Sequence, residues 1–254
     1  MSRHELLSPE GLRIDGRRWN ELRLFEARLS TTTAADGSSY VEWGNTKIIC
    51  TVAGPVEPKM GSNRSQDGAT VVVEVCFAAF SGNDRKKRAR GDKRVQEMQT
   101  ALQRTFSEAI LTQLHPRSEI LITLHILSQD GSVLAACVNA CTLALVDAGV
   151  PMSDYVVACT AGSYFVRGGN NPEDEGEDPL LDMNNLEEAD LPSVTVGTIG
   201  GGEKITLLQL ETKVRLEKLE GMMAVALDGC GKLRELMDEI VRAHGNEVVR
   251  RIAL

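Results

Sequence analysis

The feature that most constrains this chain is a strand, turn and helix written consecutively over residues 119–151. Residues 119–127 are rich in Ile and Leu at strand length, Gln129-Asp130-Gly131-Ser132 has turn chemistry, and the apolar run beyond it closes at Asp147-Ala148-Gly149-Val150-Pro151, a Gly-then-Pro helix stop. Upstream, residues 22–29, 39–43, 47–53 and 69–80 read as strands, with Gly44-Asn45 between the second and third. A helix is predicted over residues 95–114, with Met98, Leu102, Phe106, Ile110 and Leu111 near helical spacing. Downstream the pattern partly repeats: a strand at 155–161, an acidic stretch, paired strands at 194–199 and 205–210, and a long helix at 215–244 stopping before Gly245. These elements predict an α+β or α/β fold in one domain spanning 1–254, with similar halves at 20–150 and 151–245. Residues 168–178, mixing Gly, Asn and acid, read as an inserted surface loop.

Charge and aromatic content narrow the partners. A net charge of -8 argues against coating nucleic acid over the whole surface, and 4% aromatics argue against base-stacking platforms. Any nucleic-acid contact must be local. One segment has that character: Arg85, Lys86, Lys87, Arg88, Arg90, Lys93 and Arg94, with Lys59 and Arg64 in the preceding loop as an extension. Such density suits a phosphate backbone held without sequence preference, each neutralised phosphate of a single strand adding about 0.7 to the salt slope. Read from the residues alone, the same run is more often a solvated face or part of a nuclear localisation signal.

Other signals are plainer. The six cysteines form no CxxC pair and lie mostly in apolar runs, so they are predicted to be reduced core residues. Four scattered histidines have no ligand spacing, so neither a metal nor another cofactor is expected. Gly200-Gly201-Gly202 lacks the following Lys-Ser/Thr of a phosphate loop and reads as a hairpin turn. The apolar stripe of the last helix reads as core-facing. Residues 1–14 have no apolar h-region and no eighteen-residue apolar run occurs, which predicts neither a secretory signal nor a membrane span.

Two ordered stretches carry a family likeness: Leu12-Arg13-Ile14-Asp15-Gly16-Arg17-Arg18, and the run from Ala35-Asp36-Gly37 through Trp43-Gly44-Asn45-Thr46-Lys47 to Gly54-Pro55. Gln129-Asp130-Gly131-Ser132, Asn139-Ala140, Ala148-Gly149-Val150-Pro151-Met152 and residues 179–188 continue it in order. Over nearly its whole length the chain resembles the RNase PH family, especially that family's eukaryotic exosome ring subunits. The resemblance implies an RNase PH-like fold (ribosomal protein S5 domain 2-like) of two pseudo-symmetric ββαβα-type halves. It implies a six-membered hetero-oligomeric ring of paralogous subunits around a channel for single-stranded RNA, with cap subunits and a separate nuclease. Ribosomal-RNA processing and mRNA decay in nucleus, nucleolus and cytoplasm follow from the same resemblance.

Phosphorolysis needs a phosphate cradle, best built on a bidentate arginine, and an acid for the leaving oxygen. The resemblance implies an arginine shortly after the Asp-Gly turn; here that position is Leu134, leaving Gly131 and Ser132 as a relic phosphate turn. It also implies two aspartates six residues apart before the next Pro, and counting back from Asp190 reaches Asn184. Since a general acid typically contributes about 10²- to 10⁴-fold, Leu134 and Asn184 together predict a non-catalytic subunit. Asp190 reads as a relic or as a solvated acid. Lys93 and Arg94 keep the charge of an arginine pair implied at the start of the first helix, so RNA binding is expected to outlive chemistry. The rival expectation is an active phosphate-dependent 3′→5′ exoribonuclease using Arg94, the Gly131-Ser132 turn, and Asp190 or Asp182 as acid.

Overall fold

A computed structural model of the chain describes residues 7–8, 11–58, 68–82, 85, 91–165, 177–200 and 204–252. Alternation of buried and half-buried residues from Thr46 to Gly54 is the period-2 signature of a strand with one face in a core. That strand is the centre of a five-stranded sheet in the order β1 (Phe25–Leu29), β2 (Gly37–Trp43), β3 (Thr46–Val56), β5 (Glu119–Ser128), β4 (Thr70–Phe77). Its pairs are antiparallel except β4 with β5. A parallel neighbour requires a crossover, which α1 (Lys93–Ala109) supplies. The second sheet is antiparallel throughout, ordered β7 (Glu177–Leu181), β6 (Val156–Phe165), β8 (Ser193–Ile199), β9 (Ile205–Leu210). The short α3 (Asn185–Asp190) and long α4 (Leu216–Ile252) complete it, α4 packing on β6, β7 and β8.

Between the sheets lies α2 (Val133–Asp147), in which every residue from Leu134 to Leu145 is buried. A helix apolar on all sides can only be an interior one, and α2 touches β2 and β3 on one side and β6 and β8 on the other. Its few polar groups tie it to both. Ser39 donates to the Ala140 carbonyl at 2.7 Å. Asn139 accepts from Ala158 N–H at 2.9 Å and donates to Ala158 O at 3.0 Å, while Thr142 donates to Val156 O at 2.6 Å. Because β7 pairs with β6 only over Ala161–Phe165, α2 side chains bond the stretch of β6 that β7 leaves open.

The order β3, β4, α1, β5, α2 is ββαβα, whereas the second half runs β6, β7, α3, β8, β9, α4, adding a strand before its long helix. Several boundaries shift from the sequence expectation, and the ends of two helices have a visible cause. α1 ends at Ala109 because Ile110 turns extended and pairs with Met152, and Leu111 N–H bonds Pro151 O at 3.0 Å; Thr112–Leu114 form a separate 3₁₀ turn. α4 runs through Gly245 to Ile252, since strong helix formers on both sides outweigh one glycine. β7 and α3 occupy what read as an undivided acidic stretch.

All six cysteines are free, and five are buried while Cys76 is exposed on β4. Burial raises the thiols of Cys137, Cys141 and Cys159, and pushes Cys230 up to about 12, so these thiols stay protonated and unreactive.

Candidate functional site at the start of helix α2

The turn that opens α2 depends on a close backbone approach. Gly131 (φ +78°) and Ser132 (φ +52°) are both left-handed. A Cβ on Gly131 would stand 2.5 Å from Met183 O and from the Asn184 carbonyl carbon, so only glycine fits. The β2–β3 hairpin braces the turn: Thr46 Oγ1 donates to Gly131 O at 3.0 Å and accepts from Asp130 N–H at 3.1 Å, and Asn45 Nδ2 donates to Asp130 Oδ2 at 2.9 Å. Two of the ordered sequence stretches thus meet in space.

Directly behind the turn is Asp182, whose side chain is wholly inaccessible. It accepts from Arg23 N–H at 2.7 Å and from the Arg23 guanidinium at 2.7–3.1 Å, and Arg17 lies 3.6 Å away. Burial alone would lower the Arg23 pKa, but Asp182 overcomes it and the pKa is raised. Ser132 Oγ sits 3.0 Å from Met183 O and 3.3 Å from Asp182 Oδ1. The Arg-rich N-terminal motif supplies the outer clasp. Arg13 donates to Leu181 O at 2.5 Å, to Asp182 O at 2.8 Å and to both carboxylate oxygens of Glu187, fully buried with it.

Asn184 is the N-cap of α3, accepting from Glu187 N–H at 2.9 Å while Glu187 returns a bond to Asn184 N–H at 3.0 Å, a reciprocal capping box. Its amide also donates to Asp15 at 3.1 and 3.2 Å. Asp190 is exposed at the other end of α3. The expected pairing of Asn184 with Asp190 therefore puts neither side chain at the turn. The pair that reaches it is Asp182 and Glu188, also six residues apart: Ser132 N–H donates to Glu188 Oε2 at 3.3 Å.

In front of the turn opens a cavity of about 170 Å³. Phe77, Met98, Val133 and Leu134 form its apolar wall, and Gln129, Ser193, Thr195 and Gln209 its polar one. Its charged lining is Arg94 against Glu97, Glu188 and Glu211. Glu188 is exposed as a residue, yet protein packed about its carboxyl raises its pKa, and Glu211 adds repulsion; the Ser132 N–H and Arg23 oppose the shift. The structure brings Leu134, Arg94 and Glu188 around this one space, with Ser132 bonded to Glu188 behind it. Lys93 points elsewhere, into a shallow depression on α1 with Gln96, Thr100 and Arg104, a face legible in the sequence as i, i+3, i+7, i+11. Arg85 is exposed; Lys59, Arg64, Lys86, Lys87, Arg88 and Arg90 lie outside the described residues. Among the described residues no three His, Cys, Asp or Glu side chains group as metal ligands.

Sequence profiles of the RNase PH, or 3′ exoribonuclease, family match this chain over residues 21–151 for the family's domain 1 and 154–229 for its domain 2. The chain belongs to the RNase PH family. Similar relatives include the exosome complex component SKI6 of Saccharomyces cerevisiae, 43% identical over 98% of both chains. The ski6 component of Schizosaccharomyces pombe is 45% identical over 95% of this chain and 96% of its own, and RRP41 of Homo sapiens 42% identical over 96% of both. Among solved structures, rice (Oryza sativa) Rrp46 superposes with a TM-score of 0.76 at 23% identity, covering 90% of this chain and 100% of that one. An Archaeoglobus fulgidus exosome chain, described with RNA bound to the active site, gives 0.71 at 22% identity, covering 89% and 92%. At those identities the structures establish the RNase PH-like fold.

Among the described residues, the cavity carries one cation, Arg94, beside the first two residues of α2, Val133 and Leu134. A helix N-terminus favours an anion, and Leu134 adds neither donor nor charge to the lining. Sequence reasoning missed Glu188, Arg23 and Gln209. The Asp182-to-Glu188 spacing was the available signal; the other two come from distant segments.

Proposed function

We propose that this chain is a ring subunit of an RNA exosome core that contacts single-stranded RNA and performs no phosphorolysis. Family membership and the exosome names of relatives matched over nearly their full length support the assembly part. On this reading the partners are paralogous RNase PH-like subunits, cap subunits and a separate nuclease, serving ribosomal-RNA processing and mRNA turnover in nucleus, nucleolus and cytoplasm. The observation that carries the loss of chemistry is Leu134 in the cavity wall, 8% exposed. An arginine–phosphate contact there is worth about 1.5–3 kcal/mol, and apolar contact replaces none of it.

The test is incubation of the full chain, alone and with its ring partners, with 3′-tailed single-stranded RNA, with and without inorganic phosphate. RNA retained without nucleoside diphosphate release is the expected outcome, and Lys93→Glu with Arg94→Glu should weaken retention. Unchanged RNA protection in that double variant would sink the RNA-contact reading.

One observation favours a second reading, an active phosphate-dependent 3′→5′ exoribonuclease: Glu188, with its raised pKa, lines the same cavity as Arg94. A phosphate oxygen would attack the terminal phosphodiester while Glu188 protonates the departing 3′ oxygen. Phosphate-dependent diphosphate release that disappears in Glu188→Gln would establish that reading and displace the first.

A further inference from the structure

The N-terminus of α2 has no side-chain cap of its own, since Ser132 turns its hydroxyl toward Met183 O and Asp182. Uncapped N–H groups and the helix dipole make such an end a seat for an anion, and here the chain places one of its own against it, Glu188 Oε2 at 3.3 Å from Ser132 N. The placement is built. α3 is held by its capping box, by Arg13 on Glu187 and by Asp15 on Asn184, so consecutive glutamates point opposite ways, Glu187 into the arginine clasp and Glu188 toward the cavity.

We propose that the Glu188 carboxylate is an internal anion plug: it occupies the phosphate position at the first turn of α2 and excludes free phosphate from the cavity. This rests on the reading of the cavity as a phosphorolytic site that no longer turns over, and it supplies a second cause beside Leu134. A phosphate entering beside the plug would meet Glu97 from α1 and Glu211 beyond β9 as well, with Arg94 as the opposing charge lining the cavity. Arg23, the other cation acting on Glu188, is engaged by Asp182. The plug is also a proton-sensitive gate: once protonated, Glu188 no longer competes as an anion.

The experiment is titration of the full chain with inorganic phosphate, followed by ³¹P line broadening and calorimetry, for wild type, Glu188→Gln and Glu97→Gln. At pH 8 Glu188→Gln should bind phosphate at least about tenfold more tightly than the wild type. The wild type should approach the variant as pH falls. Glu97→Gln removes the same charge from the cavity without touching the turn and should gain far less. Independently of phosphate, the Ser132 amide resonance should follow one carboxyl titration in wild type that is absent in Glu188→Gln. Equal gains in the two variants, or a Ser132 amide indifferent to the substitution, would overturn the plug. Wild-type turnover would overturn plug and scaffold reading together; RNA held without turnover, with no phosphate gain in Glu188→Gln, would overturn the plug alone.

Discussion

Asp182 is a fully buried carboxylate with two arginines beside it and the Ser132 hydroxyl in front. Deleting one member of such a cluster strands the others' charge, which typically costs about 3–5 kcal/mol. Asp182→Ala should lower unfolding stability by that order, read by urea titration. Glu188 is the opposite case. Its pKa is raised in the fold, so the protonated form is the one folding favours. That contribution is full below the ordinary glutamate pKa of about 4.3 and is lost as pH rises through the higher folded value. Glu188→Gln, which does not titrate, should therefore melt above wild type at pH 7, and the gap should close as pH falls toward 4. A gap that widened on acidification would contradict the direction of the shift.

At the scale of elements, α3 and α4 are opposite lessons in helix boundaries. α3 is six residues long, too short to persist alone, and stands because Asn184 and Glu187 cap it and Arg13 pins it. α4 carries glycine at position 245 without stopping, and a Cβ there would meet nothing within 4 Å. Gly245→Ala should accordingly stabilise the chain by about 0.5–1 kcal/mol, from helix propensity alone. Thermal unfolding would check it, and a loss of stability would mean that the last turns of α4 are not helical in solution.

For the molecule as a whole, α2 is the shared core of both sheets. Asn139 is its main polar tie to the second, satisfying the N–H and carbonyl of Ala158. Asn139→Leu keeps the heavy-atom count but strands both groups, which should cost about 2–4 kcal/mol. The loss should appear in a single cooperative denaturation curve, because neither sheet keeps its core without α2. Two separate transitions in that variant would show halves that fold independently.

Strand and helix identity was legible in the sequence wherever one periodicity ran without competition, as in β3, β5, α2 and β9, because burial on one face or on all faces writes itself into the order of apolar residues. The basic start of α1 and the glycine turn before α2 were legible as chemistry. The end of α1 was not, since pairing of Ile110 with Met152 decided it, nor was the brief β7–α3 segment, whose stability is borrowed from Arg13, 174 positions away in sequence. The acid register likewise needed the fold. Spacing alone admitted Asn184 with Asp190, whereas the left-handed Asp182, locked by Arg23, turns α3 so that Asn184 caps the helix and Glu188 meets Ser132. The sequence by itself determined most of the strands, the three long helices and which residues could carry charge or phosphate. Only the tertiary structure decided which carboxylate faces the cavity and which is neutralised behind it, because that depends on contacts between residues more than a hundred positions apart.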